Sequence, residues 1–136
     1  MKRSRIMTII AAAALLVQYT GVALASPTPE QLRQTIRDYI AAAEQSKGAF
    51  SVTDPRSNAS RTLKLVRVHE RVGKTGDFYY SCTDMTDVQT NDLLDLDFDV
   101  SDNSGLLKVV DVRIHKDNGK PRYTYDANDK LIPLPA

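Results

Sequence analysis

The apolar residues between positions 26 and 46 recur at the spacing of one face of an α-helix. Counted from Leu32, they fall at i, i+4, i+7, i+8 and i+11, which is the stripe that an amphipathic helix presents to a core. Thr28 is a suitable N-cap, Gln31 completes a capping box with it, and Gly48 suits the left-handed residue that ends a helix. The pattern therefore predicts one helix with both ends marked.

From residue 49 onward the apolar positions change to a period of two, and Gly, Asn, Asp and Pro residues interrupt the chain at short intervals. This pattern is typical of antiparallel strands joined by tight turns. The predicted strands cover residues 49–53, 62–72, 77–85, 93–100, 108–116 and 122–125. We therefore predict an α+β fold in which one N-terminal amphipathic helix packs on a curved antiparallel β-sheet, a meander.

The most regular strand pattern lies at residues 94–100, where apolar side chains alternate strictly with carboxylates. In a strand this alternation places the apolar residues on one face and Asp95, Asp97 and Asp99 on the other. A shift of register by one residue would bury the three acids, so burial fixes the pairing. We expect the helix to cover the apolar face and the acidic face to be solvated.

Two other predicted strands allow more specific predictions. In the fifth predicted strand, Val110, Val112 and Ile114 share the parity expected for the core, and the residues between them are expected beside the aspartates. The longest predicted strand changes parity near Leu65 and Val66, which a β-bulge would explain. Such a bulge would bend the sheet around the helix.

The first 25 residues have the features of an export signal. A basic start precedes an apolar stretch over residues 6–24, and residues 23–25 form the small-x-small pattern after which a signal peptidase cuts. We predict a signal peptide at 1–25 and a single α+β domain at 26–136, exported to the periplasm or secreted, with no stable membrane anchor after cleavage. An uncleaved anchor is the alternative, against which the cleavage pattern argues.

Composition narrows the classes of partner. Of the 18 Lys and Arg residues, cleavage removes three, which leaves 15 against 17 Asp and Glu residues and a net charge of −2. The domain therefore lacks the clustered positive charge that phosphate-backbone binding requires, and nucleic acid is not an expected partner. Cys82 is the only cysteine, so no intramolecular disulfide can form in an oxidising compartment.

Four side chains are candidate metal ligands: His69, His115, Asp95 and Asp97. Carboxylates suit calcium, whereas imidazole and the Cys82 thiolate suit zinc or copper. The three aspartates of one strand span about 13–14 Å and cannot all reach one ion, although a pair supplemented by a neighbouring strand can. The alternative, which the spacing favours, is a solvated strand face with two half-exposed histidines, and no cofactor is expected.

Tyrosines on the predicted strands suggest a binding surface. The candidate binding residues are Tyr79, Tyr123, Tyr125 and Arg113, because aromatic side chains are favoured at interfaces. Residues 122–125 follow a turn and a proline, which marks an edge strand that a partner or a second copy can extend, as in an edge-strand homodimer. Ordinary strand packing is the alternative explanation for the same tyrosines.

No motif joins the polar candidates into a catalytic set, so no catalytic residue is assigned. The preferred interpretation is an exported, non-enzymatic binding or interaction domain with an unknown protein or small-molecule partner. The first alternative is an extracytoplasmic metal-binding protein. The second is a small hydrolase or isomerase with a polar pocket, in which His69 or His115 is the base. Cys82 is placed on the apolar parity of its strand, as a small buried hydrophobe.

The order of one amphipathic helix and a meander of long strands resembles the cystatin-like and nuclear-transport-factor-like α+β folds. A looser similarity to small exported bacterial proteins of uncharacterised function rests on the runs FYYSC at 78–82, DLDF at 95–98 and IHK at 114–116, with Gly119 and Lys120. The resemblance implies a fold and an extracytoplasmic compartment, and it implies no catalytic residue. The glutamine-rich loop motif of inhibitory cystatins is absent, so protease inhibition is not implied.

Overall fold

The computed structural model describes residues 24–136, so nearly all of the predicted signal peptide lies outside the described residues. The described chain forms one helix, α1 (Pro29–Lys47), followed by eight strands. The strands are β1 (Phe50–Thr53), β2 (Ser60–Thr75), β3 (Phe78–Asp87), β4 (Leu93–Asn103), β5 (Leu106–Asp117), β6 (Lys120–Pro121), β7 (Tyr123–Tyr125) and β8 (Leu131–Pro133). Within this part of the chain, no helix combines the length and the apolar character that a membrane span requires.

Both ends of α1 have the capping chemistry that the sequence predicts. The backbone N–H of Gln31 donates to Thr28 Oγ1 at 3.2 Å, and the backbone N–H of Thr28 donates to Gln31 Oε1 at 2.8 Å. At the other end Gly48 adopts a φ of 78°, and its N–H donates to the carbonyl oxygen of Glu44. These caps satisfy backbone groups that a helix end leaves without partners, so they set where the helix begins and ends.

Strands β1 to β6 form one antiparallel sheet in chain order, which is a meander. Leu96 and Phe98 of β4 are fully buried in one core cluster with Leu32, Ile36 and Ile40 of the helix. The apolar stripe of α1 and the apolar face of the sheet therefore bury each other, as the hydrophobic pattern requires. This arrangement confirms the predicted α+β fold.

Bulges bend the sheet at two places that bear on the predictions. The register of β2 against β3 shifts between Leu65 and Arg67, which confirms the predicted bulge and leaves Val66 exposed. A shift between β4 and β5 leaves Val110 without a cross-strand partner, and this side chain is 45% exposed. The inward orientation predicted for Val110 is therefore wrong, because an extra residue in a bulge resets the alternation. Buried Ile114 and half-buried Val112 agree with their predicted positions.

The C-terminal chain differs from the predicted edge strand at 122–125. Only the short strand β6 extends the six-stranded sheet, whereas β7 pairs with β8 in a separate two-stranded sheet. Tyr123 and Tyr125 of β7 reach the acidic side of β4, where both hydroxyls contact Asp97. The sheet is therefore covered on this face as well, by the segment that follows it.

The expected solvation of the acidic face is wrong. Asp95, Asp97 and Asp99 are only 7%, 0% and 5% exposed. They lie on the face away from the helix, as the alternation predicts. Cys82 and the β7 tyrosines contact Asp97, and Arg113 pairs with Asp99. Burying a carboxylate costs free energy unless hydrogen bonds or opposite charges compensate it, so the partners of these three aspartates decide whether the face is stable.

An ion-pair network connects residues near the ends of several strands. Its arginines are Arg61 of β2 and Arg122, which lies between β6 and β7. Buried Asp54 accepts two hydrogen bonds from Arg122, at 2.7 and 2.8 Å. Arg61 pairs with a wider set of carboxylates, those of Asp54, Asp87, Asp92 and Asp117. The hydrogen bonds from Arg122 are the main cause that lowers the pKa of Asp54 from 3.8 to about 2, although burial opposes the shift.

We expect acid to destabilise the protein through Asp54. Because the pKa is lower in the folded than in the unfolded state, the stabilisation is complete above about pH 4 and is lost as the pH falls through about 2. The shift corresponds to roughly 2 kcal/mol. Urea unfolding at neutral pH and near pH 2 should show the unchanged protein losing roughly 2 kcal/mol more than Asp54→Asn. Equal losses in the two proteins would contradict this assignment.

Candidate functional site

Three strands place four potential metal ligands together on the acidic face. Strand β4 supplies Asp95 and Asp97, β3 supplies Cys82 directly opposite Asp97, and β5 supplies His115. One ligand atom from each of the four lies within 4.8 Å of the others. We call these residues the Cys–Asp–Asp–His cluster.

A β-bulge brings His115 to this cluster. Asp95 pairs with Lys116 and Leu96 pairs with Ile114, so His115 is the extra residue between two paired positions. A bulge changes the direction of the side chain that it carries, and such bulges are over-represented next to functional sites. Here the bulge places the imidazole beside both Asp95 and Asp97.

The distances within the cluster are short. The Cys82 Sγ–H donates to Asp97 Oδ1 at 2.8 Å. Nδ1 of His115 lies 3.8 Å from Cys82 Sγ, 3.7 Å from Asp97 Oδ1 and 3.9 Å from Asp95 Oδ2. Burial raises the pKa of the Cys82 thiol, and the negative charge of Asp97 adds to this effect. In the ion-free protein the sulfur therefore keeps its proton and donates it.

The orientation of His115 leaves one ring nitrogen free for a ligand. Nε2 lies 3.1 Å from the carbonyl oxygen of Tyr123, and the imidazole stacks on the Tyr123 ring with centroids 4.6 Å apart. Because a carbonyl oxygen only accepts hydrogen bonds, Nε2 carries the hydrogen. In the neutral imidazole, Nδ1 then has the lone pair, and it faces Cys82 and Asp97.

Two tyrosines orient Asp97 in the same way. Its Oδ2 accepts hydrogen bonds from the hydroxyls of Tyr123 and Tyr125, at 2.7 and 2.6 Å. Burial raises the pKa of both tyrosines, with a further contribution from Asp97, so both phenols keep the hydrogen that they donate. Oδ1 of Asp97 is thereby left facing the cluster.

Asp95 is less well compensated than its neighbours. Its Oδ1 is buried and has no hydrogen-bond partner in the described structure. Its Oδ2 lies 3.7 Å from Nζ of Lys116, a side chain that is 42% exposed. Burial raises the pKa of Asp95, and the negative charge of Asp97 raises it further. The ion-free protein therefore holds a carboxylate at a position where its charge opposes folding at neutral pH.

A pocket of about 230 Å³ leads to the cluster and offers an ion a path from solvent. Its lining consists of His69, Arg71, Tyr80, Cys82, Asp95, His115, Lys116 and Tyr125. A larger groove of about 470 Å³ lies between β1, β5 and the C-terminal hairpin, and its lining has no histidine, cysteine or carboxylate. Three residues of the cluster, Cys82, Asp95 and His115, therefore line the smaller pocket.

The structure brings together most of the residues that sequence reasoning selected. Of the metal candidates, Asp95, Asp97 and His115 belong to the cluster, and His69 lies beside Asp95. Of the binding candidates, Tyr123 and Tyr125 contact Asp97, and Arg113 forms an ion pair with Asp99. Tyr79 lies elsewhere, packed against the apolar core.

The predicted placement of Cys82 on the apolar parity is wrong. Cys82 faces Asp97, and the core-facing positions beside it are Ser81 and Thr83, both buried. Because these two core-facing residues are polar, the hydrophobic pattern of β3 does not show which face is buried. The signal that could have shown it is Met85, which is fully buried and lies on the same face of the strand as Ser81 and Thr83.

Comparisons with protein-family models, with curated proteins and with solved structures gave no match for this chain. The resemblance to cystatin-like and nuclear-transport-factor-like folds stays a prediction.

Proposed function

We propose that this protein is an extracytoplasmic metal-binding protein that binds a divalent transition-metal ion, with zinc as the preferred ion. The proposed ligands are Cys82 Sγ, Asp97 Oδ1, His115 Nδ1 and a carboxylate oxygen of Asp95. The observation that carries the proposal is the meeting of these four side chains from three strands within 4.8 Å, on a buried face beside a pocket.

The separations within the cluster suit a tetrahedral ion. Ligand atoms bound to one zinc ion at its usual bond lengths lie roughly 3.3–3.8 Å from one another. The distances from His115 Nδ1 to the sulfur and to the two carboxylates are 3.8, 3.7 and 3.9 Å. When an ion replaces its proton, the 2.8 Å hydrogen bond between Cys82 and Asp97 has to lengthen by about 0.7 Å, and the separation of His115 from Asp95 has to shorten slightly.

The charges in the cluster also favour a cation. Among the described residues no arginine pairs with Asp95 or Asp97, whereas neighbouring Asp99 has an ion pair with Arg113. Two adjacent buried carboxylates repel each other and lose their hydration. A divalent ion that displaces the Cys82 proton lowers the net negative charge of the cluster by one, and its coordination bonds replace hydration that the carboxylates lose on burial.

The ligand types separate zinc from the harder cations. Calcium and magnesium prefer sites made of oxygen atoms, whereas a thiolate and an imidazole are ligands for zinc and related transition metals. Ligands in metal sites are usually oriented by hydrogen bonds to groups that do not touch the metal. Here the Tyr123 carbonyl oxygen orients His115, and the hydroxyls of Tyr123 and Tyr125 orient Asp97. Four protein ligands fill a tetrahedral ion, which favours binding over catalysis at this position.

Zinc should raise the melting temperature of the chelator-treated protein. A ligand that binds only the folded state at a hundred times its dissociation constant adds about 2.7 kcal/mol, which corresponds to a rise of about 10 °C or more for a domain of this size. Calcium should have little effect, because it binds oxygen ligands and has low affinity for sulfur and nitrogen ligands. Identical melting with chelator and with zinc would refute the proposal. The measurement is a thermal melt followed by circular dichroism.

Cys82→Ser is the matched variant for this melt, because its hydroxyl can still donate to Asp97 while the thiolate is lost. It should fold and lose most of the response to zinc. Asp95→Asn should lose it as well, and its ion-free form should melt at or above the temperature of the unchanged protein, because a poorly compensated buried charge is removed. Asp77→Asn, on the exposed β2–β3 turn, is the control and should keep the full response.

A further inference from the structure

A second group of ligands lies beside the cluster and shares Asp95 with it. His69 of β2 and Asp84 of β3 each offer one atom that, with one from Asp95, lies within 4.8 Å of the others. His69 Nε2 is 2.9 Å from Asp84 Oδ1. His69 lines the same pocket as Asp95 and His115. We call His69, Asp84 and Asp95 the His69 subsite.

An irregularity in β2 positions His69. Val68 pairs with Thr83 and Val72 pairs with Ser81, so three residues of β2 face a single residue of β3. The hydroxyl of Ser81 is within hydrogen-bond distance of the carbonyl oxygens of His69 and Arg71, at 3.1 and 3.0 Å, and anchors this irregular segment. Both histidines of the pocket are therefore held at breaks in strand pairing, which direct their side chains toward Asp95 from two sides.

The two oxygens of Asp95 are available to different partners. Oδ2 is the atom near His115, at 3.9 Å. Oδ1 is buried, and nothing in the described structure donates to it, although Asp95 is only 7% exposed. A carboxylate can bind one ion through each oxygen, and pairs of bound ions stand about 3.5–4 Å apart in known two-metal sites.

The charged groups around the His69 subsite permit a cation there. Arg67 donates to Asp84 Oδ2 at 2.8 Å, which leaves Oδ1 on the side of His69. Arg67 is 70% exposed and Lys116 is 42% exposed, so both cations can move into solvent when a metal ion arrives.

We propose that the protein binds a pair of divalent transition-metal ions, with Asp95 bridging them and with His69 and Asp84 holding the second ion. This inference rests on the proposed function, since the first ion is the one held by the Cys–Asp–Asp–His cluster. The second ion has three ligands from the protein, which leaves one position of a tetrahedral ion for a ligand from solvent. That position suits water or a small anion from solvent.

The test is metal stoichiometry. Protein freed of metal with chelator is dialysed against buffered zinc, and bound zinc per chain is measured by elemental analysis. The unchanged protein should hold two ions per chain, and His69→Ala should hold one. Glu70→Gln, which alters the exposed residue next to His69, is the control and should hold two.

The possible results separate this inference from the proposed function. One ion in both the unchanged protein and His69→Ala would overturn the second ion and leave the first in place. Loss of all zinc in a folded His69→Ala protein would also overturn the pair, since it would make His69 a ligand of a single ion. No zinc in the unchanged protein would refute both proposals. Two ions that fall to one only in His69→Ala would support the pair.

Discussion

Phe98→Asp is expected to leave the chain unfolded at room temperature. Phe98 is fully buried between the sheet and α1, in one cluster with Leu96 and Ile36. Removing a buried aromatic side chain costs about 3–5 kcal/mol, and burying a charge without a partner adds several more. The sum falls within the roughly 5–15 kcal/mol by which domains are typically stable, so the substitution removes most or all of the stability. Leu96→Asp should have the same effect.

Far-UV circular dichroism and urea unfolding measure this outcome. Leu106→Asp is the matched control, because it introduces the same charge at a position of the β4–β5 hairpin that is 71% exposed. The control should change the free energy of unfolding by less than about 1 kcal/mol. A cooperative, native-like transition in Phe98→Asp would show that the core is not where the structure places it.

Arg113→Gln is expected to lower the free energy of unfolding by about 3–5 kcal/mol. Arg113 faces Asp99 with both terminal nitrogens, and one of these hydrogen bonds measures 2.8 Å. Asp99 is almost completely buried, so the substitution leaves its charge without a cation. The hydrogen bonds from Arg113 to Asp111 and Tyr125 are lost at the same time.

Arg67→Gln is the control for this prediction, because it removes an arginine from an aspartate in the same sheet. Arg67 is 70% exposed, and its pair with Asp84 spans 2.8 Å at the surface. An exposed pair contributes less than about 1 kcal/mol, so urea unfolding of the metal-free proteins should separate the two variants clearly. Similar small losses in both would contradict the burial of the Arg113–Asp99 pair.

The features that the sequence predicted correctly depend on neighbouring residues. Thr28, Gln31 and Gly48 set the ends of the helix through hydrogen bonds and backbone conformation within a few residues. The alternation around Leu96 and Phe98 separates the two faces of β4, and one amphipathic helix is available to cover the apolar one. The β2 bulge was also visible, because it interrupts a local pattern of parity.

The features that were not predicted from the sequence depend on distant parts of the chain. Alternation separates Asp97 from the core face, but it does not say whether a later segment covers it. That cover comes from Tyr123 and Tyr125 of β7, which leaves the main sheet to lie on the acidic face. Cys82 was misplaced because its buried neighbours in β3 are polar, so their parity resembles that of an exposed face.

Local sequence patterns specify the helix and the long strands, and the composition supplies ligand types suited to a transition metal. That Cys82, Asp97 and His115 meet away from water follows from the folded chain alone, because the meeting requires a bulge at His115 and a hairpin over the acidic face. Both result from packing between segments far apart in the chain, which a local pattern of polar and apolar residues does not encode.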